Sequence, residues 1–142
     1  MKIVDVNVLI HAANADAREH ASAQKWIEVA LSGTEAIGFA WVALLSFIRL
    51  STRHGLLLKP LKIADAFGLL EDWLSAQHSI VIHPGDNHAA ILRVLLESLG
   101  TAGNLTSDAH LAALAIEHSA ELVSFDRDFN RFEGLRTVIL KA

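Results

Sequence analysis

The sequence contains no cysteine among its 142 residues and only two prolines. The absence of cysteine excludes disulfides, cysteine-based zinc sites, iron–sulfur clusters and thiol nucleophiles, and it is compatible with a reducing compartment. Lysine and arginine are also few, since 12 of them stand against 16 acidic residues and give a formal net charge of −4. We therefore do not expect tight nucleic-acid binding through bulk charge, because phosphate neutralisation requires a surplus of cations.

Long uncharged segments are absent as well. The apolar run at 36–48 is shorter than the roughly 18 to 20 residues that a membrane-spanning helix needs. Asp5 interrupts the apolar start that a signal peptide would require. Hydrophobic residues make up 52% of the chain, which at this length indicates one domain, 1–142, with a large core. We expect a cytoplasmic globular protein without membrane contact.

Short apolar segments alternate with longer amphipathic ones along the chain. The predicted strands are 2–6, 36–40, 79–83, 121–124 and 136–140, and the predicted helices are 18–31, 41–54, 62–76, 87–99 and 106–118. This alternation predicts βαβ crossovers and an α/β fold, with a parallel sheet of roughly four to five strands and helices on both faces. In such sheets, functional residues gather outside the carboxyl ends of the strands.

Three aspartates occur where that carboxyl edge is expected. Asp5 lies within the first strand pattern, Asp126 follows the strand 121–124, and Asp108 lies in the first turn of the preceding helix. A carboxylate buried in an apolar strand is unfavourable without a partner, and few basic residues are available to pair with all three. A divalent cation with a preference for oxygen ligands, Mg²⁺ or Mn²⁺, is a suitable partner.

Each aspartate also has an ordinary structural explanation. Asp5 could cap the segment after the first strand, with Asn7 as a turn residue. Asp108 could be a favourable charge at a helix N-terminus. Asp126 could form an Asx turn or pair with Arg127. Only the joint placement of the three acids points to a metal site.

Other catalytic signatures are missing. The chain has no HExxH, GxxxxGK[ST], GxGxxG or GxSxG pattern, so nothing indicates a zinc protease, a nucleotide-binding protein or a serine hydrolase. Asp5 and Asn7 are superficially similar to the Asp-x-Asp of haloacid dehalogenase-like phosphatases. Asn7 replaces the second acid of that motif, however, and no suitable lysine follows, so this alternative is weak.

Three segments carry a more specific family resemblance. They are the opening IVDVNVLI, the middle GFAWVALLSFIRLSTRHGLL, and AGNLTSDAHLAALAIEHSAELVSFDRDFNRFEGL near the end. Together they resemble PIN-domain proteins, and in particular the VapC-type toxins of bacterial type II toxin–antitoxin pairs, from Lys2 to about Leu140. The resemblance implies a PIN-like fold and a Mg²⁺-dependent endoribonuclease that cleaves structured RNA, such as tRNA or ribosomal RNA, and thereby inhibits translation and growth.

The resemblance also implies roles for individual residues. Asp5, Asp108 and Asp126 match the acids that are catalytic and bind metal in the family. The supporting positions that it implies are Asn7, Ser46, Ser124 and Asp128. Asn7 matches the asparagine that orients the first aspartate, Ser124 matches the small hydroxyl residue before the last acidic segment, and Asp128 matches a second acid often present there.

Ser46 is a departure from the commoner family pattern. Many members have Glu-Phe-x-Arg in the middle helix, whereas this chain has Ser46, Phe47, Ile48 and Arg49. A serine hydroxyl is neutral and is a weaker ligand than a carboxylate. We expect one firmly bound metal ion, with any second ion recruited with the substrate. The alternative is a PIN-fold binding module with weakened catalysis that acts only within an antitoxin complex.

Substrate and partner contacts complete the expectations. Arg49 and Arg53 lie i, i+4 on the middle helix and are candidates for phosphate binding, although Arg49 could instead face solvent or pair with a nearby glutamate. The resemblance implies a homodimer and a VapB-type antitoxin whose C-terminal segment lies across the acidic cleft, where opposite charge would favour it. DNA would be bound only through the antitoxin.

Overall fold

The sheet at the centre of this computed structural model, which describes residues 1–142, has five parallel strands. The strands are Lys2–Val4 (β1), Ile37–Ala40 (β2), Ser79–Ile82 (β3), Glu121–Ser124 (β4) and Arg136–Ile139 (β5). Their order is β3-β2-β1-β4-β5. The chain thus builds one half of the sheet outward from β1 and then crosses back to build the other half. This reversal leaves a crevice at the carboxyl ends of β1 and β4.

Six α-helices cover both faces of the sheet. They are Val6–Ala13 (α1), His20–Ser32 (α2), Trp41–Thr52 (α3), Ile63–Ser75 (α4), His88–Leu99 (α5) and Thr106–Glu117 (α6). Because successive strand residues point to opposite faces, Ile3 and Leu122 pack with α5 and α6, whereas Val4 and Val123 pack with α1 to α4. The predicted α/β fold class is confirmed. Every helix is too short or too polar to cross a lipid bilayer.

The first strand is shorter than the predicted segment 2–6, and it is followed by a helix that the sequence patterns do not predict. Asp5 has an extended backbone, and its carboxylate accepts a hydrogen bond from the N–H of Val6 at 2.7 Å, so it caps α1. Within α1, Val8, Leu9 and Ile10 are buried. Apolar residues at consecutive positions suit a doubly buried strand and a buried helix equally, which explains the error. The other predicted elements are present, with boundaries that differ by no more than two residues.

Candidate active site

Asp5 is the most buried acid of the crevice, with only 6% of its surface exposed. Its Oδ1 accepts the Val6 N–H at 2.7 Å, and its Oδ2 accepts the Ser124 hydroxyl at 2.7 Å. No lysine, arginine or histidine pairs with it. Burial raises the pKa of Asp5 to about 6, and the negative charges of Asp108 and Asp126 add to this, while the two hydrogen bonds oppose it. Asp5 therefore lacks a positive partner.

Ser124 connects the acids that follow β1 and β4. Its fully buried hydroxyl donates to Asp5 and accepts hydrogen bonds from Asn7 Nδ2 at 3.0 Å and from the Asp126 N–H at 2.9 Å. Asn7 Oδ1 in turn accepts the Phe125 N–H at 3.2 Å. The first turn of α1 is thereby joined to the end of β4. These bonds fix the position of Asp5 relative to Asp126.

Asp126 turns the chain at the end of β4 and starts a short 3₁₀ helix, Arg127–Arg131. Its Oδ1 accepts the Asp128 N–H at 2.8 Å, so it forms the Asx-type cap that is the structural alternative for this residue. It does not pair with Arg127, and its Oδ2 has no hydrogen bond within the protein. The cap and a ligand role are compatible, since only one carboxylate oxygen is used.

Asp108 faces Asp5 from the first turn of α6 and is half-buried. Both acids line a narrow cleft, together with Val6, Val42, Ser46 and Ser107. Burial raises the pKa of Asp108, and the charges of Asp126 and Asp128 raise it further, whereas Arg131 lowers it. The structure thus brings the three predicted acids into one electrostatic group.

Arg131 is a cation of this group that the sequence patterns do not single out. It binds the exposed carboxylate of Asp128 at 2.9 Å, and its Nε donates to the Asp128 backbone carbonyl at 2.8 Å. The i, i+3 spacing of the pair is a signal that could identify it in a helical segment. Asp128 thus points toward Arg131, and its charge acts on Asp108 from a distance.

Ser46, Arg49 and Arg53 occupy α3 and its C-cap, on the other wall of the cleft. Ser46 lines the cleft, but its hydroxyl donates to the Val42 carbonyl at 2.8 Å and makes no hydrogen bond to the acids. Arg49 and Arg53 are exposed and form neither an ion pair nor a hydrogen bond. Arg49 thus faces solvent, which is one form of its structural alternative, and it does not pair with a glutamate. Its phosphate-binding role stays a prediction.

Two histidines form a contact between α5 and α6, away from the cleft. His88 Nε2 lies 2.8 Å from His110 Nδ1, and burial together with the neighbouring His88 lowers the pKa of His110. Glu117 accepts the N–H groups of Gly85 and Asn87 at 2.7 and 3.0 Å and so holds the chain entering α5. The sequence patterns do not predict either contact, and both stabilise the wall that carries Asp108.

The donor chemistry of the cleft fits a divalent cation. Asp5 is a buried carboxylate without a positive partner, and it shares the cleft with a second carboxylate whose pKa is also raised. No three Asp, Glu or His side chains approach closely enough to form a ready three-ligand cluster. Mg²⁺ keeps most of its water ligands and commonly takes one or two protein carboxylates. Asp5 and Asp108 are sufficient for that kind of site.

Known proteins are similar to this chain over nearly its whole length. The PIN-domain family model matches residues 2–135. Ribonuclease VapC37 of Mycobacterium tuberculosis is 49% identical over 136 residues, which cover 96% of this chain and 94% of that protein. Ribonuclease VapC33 of the same species is 38% identical over 136 residues, with 96% and 95% covered.

Solved structures give the same fold at lower identity. The chain is similar to VapBC2 from Rickettsia felis, solved bound to a promoter DNA fragment, with a TM-score of 0.73, 20% identity and coverage of 99% and 98%. It is also similar to VapC20 of M. tuberculosis, described as a sarcin–ricin loop cleaving toxin, with a TM-score of 0.67, 18% identity and coverage of 96% and 99%. At these identities the likeness supports the five-stranded fold.

Proposed function

This chain belongs to the PIN-domain family, and we propose that within it the chain is an endoribonuclease of the VapC type, the toxin of a type II toxin–antitoxin pair. Relatives named ribonuclease align with nearly all of it at 49% and 38% identity. The observation that carries the proposal is the carboxylate of Asp5, buried without a positive partner and facing Asp108 at the carboxyl edge of the sheet. Such a site suits cleavage of a phosphodiester bond, in which negative charge must be neutralised.

We propose that the cleft holds Mg²⁺, with Mn²⁺ as a substitute. Asp5 and Asp108 would be its protein ligands, and Asp126 would contribute its free Oδ2 directly or through water. When bound, the ion supplies charge neutralisation at the attacked phosphate and lowers the pKa of a water. This assignment rests on the preference of hard cations for oxygen ligands and on the unpaired charge of Asp5.

The chain's own residues prepare this site for the cation. Ser124 donates to Asp5 Oδ2 and receives the Asp126 N–H, so both aspartates keep their positions when they are ionised. Asn7 holds Ser124 and the backbone of Phe125. Contacts of this kind orient metal ligands, and their removal typically weakens metal binding or activity about 10- to 100-fold.

Ser46 gives the proposed mechanism its particular form. Its hydroxyl is engaged with the Val42 carbonyl, and no ionisable group takes its place on this wall of the cleft. We propose that one ion binds firmly and that any second ion enters with the substrate phosphate. Arg49 and Arg53, which are free of ion pairs, would contact the RNA backbone.

We propose that the partners are a VapB-type antitoxin and a second copy of this chain, in the cytoplasm, with DNA bound only through the antitoxin. The VapBC2 structure, which contains promoter DNA, is the support for the antitoxin. Structured RNA, such as tRNA or ribosomal RNA, is the proposed substrate class.

The alternative to a ribonuclease is a binding module without efficient catalysis. The observation that supports this alternative is the neutral serine at position 46, where an ionisable residue is absent.

The decisive experiment is metal-dependent RNA cleavage by the purified protein. We expect Mg²⁺ to support cleavage and EDTA to abolish it, and we expect Asp5→Asn and Asp108→Asn to lose cleavage and growth arrest. Asp72→Asn, an exposed aspartate on α4, is the matched control. A folded wild-type protein that cleaves no RNA with Mg²⁺ or Mn²⁺ would leave the binding-module alternative.

Sequencing of RNA ends after brief induction, with Asp5→Ala as the control, would identify the substrate.

A further inference from the structure

Arg131 is the cation that the structure brings to the acids of the cleft. Its charge lowers the pKa of Asp108, and it lies in the 3₁₀ helix that begins directly after Asp126. Arg49 and Arg53, on α3, form no ion pair with any acid. Arg131 is therefore well placed to act on a phosphate that enters between the acids.

Three contacts tie Arg131 to the turn that carries Asp126. Its Nε donates to the backbone carbonyl of Asp128 at 2.8 Å, and its Nη2 lies 2.9 Å from the Asp128 carboxylate. Asp128 in turn donates its backbone N–H to Asp126 Oδ1 at 2.8 Å. A guanidinium has five N–H donors, and Arg131 makes no other hydrogen bond or ion pair in the protein. The guanidinium is thus oriented, but it keeps donors free.

Buried aromatic rings hold the backbone of this segment in place. Phe129 and Phe132 are 2% and 3% exposed, and they belong to the same core cluster as Ala109 and Leu111 of α6. Leu111 also lines the cleft. Because Arg131 lies between the two phenylalanines in the sequence, its backbone is fixed beside α6.

The ion pair of Arg131 is open to exchange. The side chain of Asp128 is 70% exposed and that of Arg131 is 32% exposed. Such an exposed ion pair typically changes an equilibrium about fivefold at most. The planar fork of an arginine matches a phosphate as well as it matches a carboxylate. A phosphate in the cleft can therefore replace Asp128 as the partner of Arg131 at little cost.

We propose that Arg131 is a catalytic residue, which exchanges the carboxylate of Asp128 for a non-bridging oxygen of the phosphate attacked in the cleft. Asp128 orients the guanidinium while the cleft is free of RNA. Fixed positive charge beside the attacked phosphate stabilises the negative charge that develops there, and Arg131 would supply it in addition to the proposed cation. This inference rests on the proposed ribonuclease function.

The test uses both partners of the ion pair, because a structural role and a catalytic role predict different results for them. Arg131→Gln removes the cation, Asp128→Asn removes the charge that holds it, and the double variant combines the two. Arg93→Gln is the matched control, since it removes an arginine from an exposed 2.8 Å pair with Glu97 on α5. Urea unfolding verifies that each variant is folded.

Three quantities are measured for each protein. The first is kcat/KM for one RNA with Mg²⁺. The second is the Kd for Mg²⁺ without RNA, by calorimetry. The third is the Kd for the same RNA, by fluorescence anisotropy with Ca²⁺ in place of Mg²⁺, since Ca²⁺ also takes carboxylate ligands.

We expect Arg131→Gln to lower kcat/KM about 10- to 100-fold, as for a lost hydrogen bond to a charged group, and to raise the Kd for RNA. Its Kd for Mg²⁺ should not rise, because a positive charge beside the acids is removed. Asp128→Asn should instead lower the Kd for RNA, about fivefold at most, because the carboxylate no longer competes with the phosphate. In the double variant this gain should disappear. Arg93→Gln should behave as wild type.

Three results would overturn the inference. Wild-type kcat/KM in Arg131→Gln would show that the arginine does not touch the phosphate. Equal losses in Arg131→Gln and Asp128→Asn would mean that the ion pair only stabilises the turn. A gain from Asp128→Asn that persists in the double variant would come from the overall charge. Failure of the proposed function is separable, because wild type would then cleave no RNA with Mg²⁺, whereas the Kd values for RNA still test Arg131.

Discussion

Replacement of Asp5 by asparagine should stabilise the metal-free protein at neutral pH. The pKa of this carboxyl rises from its ordinary value of 3.8 to about 6 in the folded chain, mainly because of burial. Below pH 3.8 both the folded and the unfolded chain hold the proton, and the group has no effect on stability. As the pH rises from 3.8 to about 6, the unfolded chain ionises first, so the free energy of unfolding decreases.

The size of this effect follows from the shift. A difference of about two pH units corresponds to about 3 kcal/mol of lost stability, which is fully developed above pH 6. In Asp5→Asn the side chain is neutral at every pH. Its carbonyl oxygen can still accept the Val6 N–H, and the Ser124 hydroxyl can turn toward Asn7 Oδ1, which lies 3.4 Å away. We therefore expect little new strain at this position.

The assay is urea unfolding in EDTA between pH 4 and 8, followed by the fluorescence of the three tryptophans. The difference in unfolding free energy between Asp5→Asn and wild type should be near zero at pH 4 and rise toward about 3 kcal/mol at pH 7. The other groups titrate alike in both proteins, so their contributions to the unfolding free energy cancel in this difference. Asp72→Asn, which removes an exposed carboxylate, should show no comparable rise.

Addition of Mg²⁺ should remove most of this difference in stability. A ligand present at 100 times its Kd stabilises the folded state by about 2.7 kcal/mol, and Asp5→Asn should gain much less of this. A difference between the two proteins that stays constant from pH 4 to pH 8 would refute the reasoning, because Asp5 would then not be an unpaired buried charge. Equal stabilisation of both proteins by Mg²⁺ would show that Asp5 is not a ligand.

Two further substitutions test the surroundings of the acids. Ser46→Glu should lower the Mg²⁺ or Mn²⁺ concentration that half-activates RNA cleavage, because it adds a carboxylate to the cleft wall. Calorimetric titration of the metal would detect the tighter site. An unchanged metal affinity would show that the side chain at position 46 does not reach the ion. Ser124→Ala removes the hydrogen bond to Asp5, so it should raise the pKa of Asp5 further. The Mg²⁺ concentration needed for cleavage should increase about 10- to 100-fold, most strongly near pH 6. An unchanged Mg²⁺ requirement at pH 6 would contradict the role of this hydrogen bond.

The position of the cleft was predictable from the sequence, whereas its internal contacts were not. Short strands alternating with helices predict a parallel sheet, and such sheets place functional residues at their carboxyl edge. Asp5, Asp108 and Asp126 could therefore be grouped before any contact was known. The first helix could not be predicted, because Val6–Ala13 is apolar at most positions and fits a strand equally well.

Contacts between distant segments depend on packing that no local pattern encodes. Glu117 binds the N–H groups of Gly85 and Asn87 across about 30 residues, and His110 meets His88 across 22. The positions of these partners follow from how α6 lies against α5. Arg131 is different, since its pairing with Asp128 is local. Arg131 lowers the pKa of Asp108 only because the sheet brings that turn close to Asp108.

The net charge of −4 is not spread evenly over the chain. Asp5, Asp108 and Asp126 concentrate negative charge in and beside the cleft, while Arg49 and Arg53 extend its α3 wall as exposed cations without ion pairs. A divalent ion between the acids would reduce the charge of those three residues from −3 to −1, and RNA entering the cleft would then meet far less repulsion. Metal and RNA should consequently strengthen each other's binding by the same factor, as linkage requires. An acidic protein can thus bind RNA productively, provided that the cation is bound as well.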